Sequence, residues 1–74
     1  MTDVEFRRWF GSQLRAAREQ RGLSRAELAR MLPGSIESTA LRVWETGKVY
    51  PRAANVAAIL TALEVPPDAV FGDG

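Results

Sequence analysis

Apolar residues recur at helical spacing along most of the chain and nowhere alternate in the two-residue period of a half-buried strand. Phe6, Phe10, Leu14 and Ala17 form one such stripe, which predicts a first helix with a single buried side. Thr2 and Glu5 stand at capping-box spacing ahead of it, and Arg21-Gly22 closes it with a cation and a glycine. Gly11 falls inside this helix, where glycine costs about 1 kcal/mol relative to alanine. It marks either a break or a close approach by a neighbouring element. Ser24 and Glu27 form a second capping box, and Leu28, Ala29 and Leu32 follow as the inner side of a short second helix. Pro33-Gly34 ends that helix, since proline is poorly tolerated inside one and glycine permits the turn.

A third helix is predicted from about Glu37 to Thr46, closed by Gly47, with Glu37 or Ser38 as its cap and Ile36 and Leu41 spaced as a hydrophobic staple. Pro51 suits the first turn of a fourth helix, whose inner face reads as Ala53, Val56, Ala57, Leu60 and Leu63 and which Pro66-Pro67 stops. Asp68 to Phe71 can add a short fifth turn anchored by Val70 and Phe71. The pattern is that of one all-α domain spanning residues 1–74.

At about 100° per residue, Ala40, Leu41 and Trp44 share one side of the third helix, while Ser38, Thr39 and Arg42 share the other and Val43 lies at the flank. Two short helices joined by a turn, the second with a polar outer face, are the arrangement that reads DNA through the major groove. Here it spans about residues 24–46. The outer face has two readings, a solvated polar surface or a set of donors for base edges and phosphates. Arginine against guanine O6 and N7 is the commonest specific major-groove contact.

Composition narrows the choice. Net charge is only +1, but nine of the ten cations are arginine, none lies beyond Arg52, and the stretch after it carries only Glu64, Asp68 and Asp73 as charges. Cysteine and histidine are both absent, which removes disulfides, thiolate zinc sites and the commonest general base. No enzyme activity, metal, cofactor or small-molecule substrate is expected. No apolar run approaches the roughly 20 residues that span a bilayer. The acidic start Met1-Thr2-Asp3-Val4-Glu5 lacks the layout of a signal peptide. These features predict a cytoplasmic protein without membrane contact, associated with the nucleoid when bound to DNA. A chain of 74 residues builds only a small core, so a partner subunit would help.

Taken in order, Arg18 with Gly22-Leu23-Ser24, Glu27-Leu28-Ala29, Trp44-Glu45-Thr46-Gly47-Lys48 with Pro51, and Leu60-Thr61-Ala62-Leu63-Glu64-Val65 resemble the Cro/repressor-type (XRE-like) helix-turn-helix family. The resemblance covers roughly Leu14 to Phe71. It implies a compact five-helix bundle of the lambda-repressor-like DNA-binding type, here with an extended first helix. The chain departs from the family in Pro33-Gly34, which looks like a two-residue insertion, and in its longer start with Phe6 to Phe10.

The resemblance also implies roles. Ser38, Thr39 and Val43 match base-reading positions, and the helical wheel adds Arg42. Val43 either meets a thymine methyl or packs at the flank of the core. Arg25, at the start of the second helix, resembles a phosphate clamp, and Lys48 and Arg52 a second grip to which Tyr50 could add a hydroxyl. Arg18 and Glu45 resemble a structural ion pair between the first helix and the end of the third. Trp9 stands off the apolar stripe and either covers the core edge or contacts another protein. The implied function is a sequence-specific regulator of double-stranded DNA, a repressor acting as a homodimer on a pseudo-palindromic operator, with Val65, Val70 and Phe71 at the dimer contact. The alternative is a protein-interaction module of the same fold, antitoxin-like or an adaptor, docking a partner through the aromatic first helix or the C-terminal segment.

Overall fold

The computed structural model describes residues 1–65. Among them it holds four helices, α1 (Asp3–Gln20), α2 (Arg25–Met31), α3 (Ser38–Glu45) and α4 (Ala53–Ala62). The predicted fifth turn, with Val70 and Phe71, lies outside the described residues.

Local signals account for the first two helices. The Thr2 hydroxyl accepts from the Glu5 N–H at 3.1 Å, and the Thr2 N–H donates back to Glu5 Oε1 at 2.8 Å. Ser24 and Glu27 repeat the exchange at 3.0 and 2.8 Å. The backbone N–H given to each carboxylate, helped by the cap hydroxyl, lowers the pKa of Glu5 and Glu27 below the ordinary carboxylate value. Glu37 caps α3 through its extended backbone, without a side-chain bond.

The core is built from Phe10 and Leu14 of α1, Leu28, Ala29 and Leu32 from α2 and its cap, Leu41 and Trp44 of α3, and Val56, Ile59 and Leu63 from α4 and its cap. Gly11 is no break. A Cβ there would lie 2.5 Å from both the Trp44 and Glu45 carbonyl oxygens, so α1 runs directly against the end of α3.

The fourth helix differs from expectation in start and face. Arg52 is its N-cap and Pro51 lies buried just ahead, outside the first turn. Ala53 and Ala57 are exposed and Leu60 half-buried, while Val56, Ile59 and Leu63 point inward. The sequence AANVAAILTA is apolar nearly all round, so periodicity does not fix its face. The bulkier side chains do, because they bury more area.

Three helices end in the same pair of reversed hydrogen bonds. Gly22 and Leu23 donate to Glu19 and Arg18, Gly47 and Lys48 to Trp44 and Val43, and Glu64 and Val65 to Thr61 and Leu60, all at 2.9–3.2 Å. This is the Schellman geometry, which needs a left-handed residue just past the cap. Glycine fills that place twice, at φ 66° and 79°, but α4 uses Glu64 at φ 54° and so stops before Pro66-Pro67. A side chain there costs about 1–2 kcal/mol. The exposed Arg21–Glu64 pair at 2.9 Å returns about 0–1 kcal/mol. Glu64→Gly is therefore expected to raise stability by about 0.5 kcal/mol once the greater chain entropy of glycine is included. Urea denaturation checks this, and a clear loss would mean that the ion pair outweighs the strain.

Candidate nucleic-acid interface

The third helix is held from one side. Leu41 is fully buried, Trp44 is nearly so, and the Glu45 side chain is only 1% exposed. Its opposite side leaves Thr39 and Arg42 exposed, with Ser38 and Val43 half-buried at the edges. The two expected faces are thus separated on the folded protein. The turn carrying Pro33-Gly34 runs from Leu32 to Glu37, with Gly34 at φ 84°, and α3 still packs against both α1 and α2.

Glu45 fixes the end of α3 electrostatically. Arg18 donates from Nε to Oε2 at 2.6 Å and from Nη2 to Oε1 at 3.1 Å, the two-point geometry of a guanidinium fork on a carboxylate. Its Nη1 donates to the Leu23 carbonyl at 2.7 Å. These bonds to Glu45 push the Arg18 pKa above its ordinary value, against the effect of burial. Both members of the pair are buried.

A third member was not foreseen. Arg25 Nε donates to Glu45 Oε1 at 3.0 Å, so one carboxylate holds two arginines and the cluster keeps a net positive charge. Arg25 remains 35% exposed at its side chain. The first residue of α2 is therefore tied to the last residue of α3, a link that spacing alone could not reveal because any of the nine arginines could have served.

Lys48 and Arg52 are both exposed, in the turn after α3 and at the cap of α4. Tyr50 is half-buried: its ring centroid lies 4.9 Å from Phe10, edge-on, and 5.3 Å from Phe6. Burial raises its pKa. The extra turns of α1 buttress this loop, since Arg7 Nε donates to the Gly47 carbonyl at 3.3 Å. Trp9 is half-buried and packs on the core, its ring 5.8 Å from Phe6. Val65 lines an apolar groove between α1 and α4 with Leu14, Leu60 and Leu63. Among the described residues, no group of three acidic, histidine or cysteine side chains could hold a metal ion, and no helix is long and apolar enough to cross a membrane.

A small all-helical domain whose third helix is anchored on one side and polar on the other defines the helix-turn-helix class. The model of the helix-turn-helix domain family matches residues 9–70. The chain belongs to that family, and within it to the Cro/repressor type, as a solved structure makes clear. It is similar to the P22 c2 repressor protein, solved in complex with a synthetic operator, with a TM-score of 0.76 and 26% sequence identity over 88% of this chain and 96% of that one. No curated protein sequence matches the chain.

Proposed function

We propose that the protein is a sequence-specific regulator that binds duplex DNA with the outer face of α3 in the major groove. Its membership of the helix-turn-helix family and its likeness to a repressor bound to operator support DNA binding and regulation. The observation that carries the reading is the split of α3, with Leu41, Trp44 and Glu45 held inside and Thr39 and Arg42 open outside. Ser38, Thr39, Arg42 and Val43 are the base-facing set, and Arg25, Lys48 and Arg52 are cations for flanking phosphates.

One helix of eight residues reads few base pairs. Selectivity on a genome then needs two copies on half-sites about one DNA turn apart. The homodimer contact is assigned to Val65 with Val70 and Phe71, and repression to occupation of promoter DNA. Selection of bound sites from random duplexes tests all of this together. A two-fold symmetric consensus is expected, with affinity falling steeply as salt rises because phosphate contacts release counterions. Arg42→Ala is expected to weaken the selected site by about 1–3 kcal/mol and to relax the consensus at one position in each half-site. Binding that ignores both sequence and salt would sink the reading.

A further inference from the structure

The ten cations of the chain divide into two groups. Arg7, Arg15, Arg18, Arg21 and Arg25 are each ion-paired. Arg8, Arg30, Arg42, Lys48 and Arg52 are all exposed, and none of them has an ion pair among the described residues. Arg42, Lys48 and Arg52 follow one another through α3, the turn after it and the cap of α4. Arg8 comes from the other end of the chain, and the fold brings it to the same turn.

The contact is close. Gly47 is buried at φ 79°, and a Cβ on it would lie 2.8 Å from both Cα and Cγ of Arg8. The Arg8 stem therefore lies across Gly47, and Lys48 follows one peptide later, about 3.8 Å along the chain. The acids nearest in sequence are engaged elsewhere: Glu5 accepts from the Thr2 N–H at 2.8 Å, and Asp3 meets Arg7 at 3.5 Å. Neighbouring arginines thus divide the work, Arg7 holding the Gly47 carbonyl while Arg8 has no ion pair among the described residues. Both precede the residues matched by the family model, which begin at position 9.

We propose that Arg8 is a DNA-phosphate contact, carried by the extra turns of α1 to the phosphodiester backbone beside Lys48. The assignment rests on the DNA-binding reading above and extends the second phosphate grip to a residue outside the family pattern. The test uses the full chain and its selected duplex, with affinity followed across salt concentration. Arg8→Gln is expected to lower affinity several-fold on selected and random duplexes alike. The plot of log affinity against log salt should become shallower by about 0.9, the share of one phosphate. Arg8→Lys should restore the slope. Arg15→Gln, an exposed arginine of the same helix paired with Glu19, should leave it unchanged. Wild-type slope and affinity in Arg8→Gln, alongside a loss in Lys48→Gln, would overturn the assignment of Arg8 and leave DNA binding standing. So would weakened binding with an unchanged slope, which would show that Arg8 only supports the turn. If the unaltered chain binds no duplex, the DNA reading falls and this proposal with it.

Discussion

Glu45→Ala is expected to destabilise the protein by about 3–5 kcal/mol, the cost of leaving one member of a buried pair without its partner. The residue left behind is Arg18, whose side chain is 9% exposed and whose one other bond goes to the Leu23 carbonyl. A domain of 74 residues has a total stability of about 4–11 kcal/mol, so much of the margin would be lost. Urea denaturation should show a lower midpoint with the slope preserved. Replacing both buried partners by apolar residues, Arg18→Met with Glu45→Leu, should cost less than Glu45→Ala alone, because no buried charge remains and the half-exposed Arg25 can turn to solvent. A loss below about 1 kcal/mol in Glu45→Ala would mean that the cluster does not hold α3 in place.

Gly11→Ala is expected to cost about 2–3 kcal/mol, although helix propensity alone favours the change by about 1 kcal/mol. The added methyl would sit 2.5 Å from two carbonyl oxygens at the end of α3, whereas carbon ordinarily approaches such an oxygen to about 3.3 Å. Both obstacles are backbone, so no rotamer change relieves the overlap, and α1 must move away from α3. Thermal denaturation beside Gln13→Ala, an exposed site on the same helix, separates the two effects. A stabilised Gly11→Ala would show that the helices part without cost.

The parts of this fold that were legible in the sequence are those set by neighbours along the chain. The Thr2–Glu5 and Ser24–Glu27 boxes fix two helix starts through bonds spanning three residues. Leu41 and Trp44 are bulky enough to settle which way α3 faces, and so Thr39 and Arg42 were legible as its outer side. Where apolar residues surround a helix, as in α4, the pattern carries no direction, and the inner face was misplaced by about one residue. Long-range partners were illegible for a different reason. Arg25 and Glu45 are 20 residues apart, and Arg7 and Gly47 are 40. Only the folded backbone brings either pair together. The packing of the Tyr50 ring was illegible for the same reason, because the rings of Phe6 and Phe10 that receive it belong to the far end of the chain.

The one-sided anchoring of α3 also bears on how such a protein changes over time. Leu41, Trp44 and Glu45 hold the helix, while Thr39 and Arg42 project into solvent without a partner among the described residues. Substitution at the outer positions leaves core packing and the buried ion cluster intact, and exposed sites of this kind ordinarily shift stability by less than about 0.5 kcal/mol. If this face reads DNA as proposed, a new target sequence can be acquired through changes that folding barely registers. Drift at Leu41, Trp44 or Glu45 has no such freedom, so the same eight residues hold both replaceable and constrained positions.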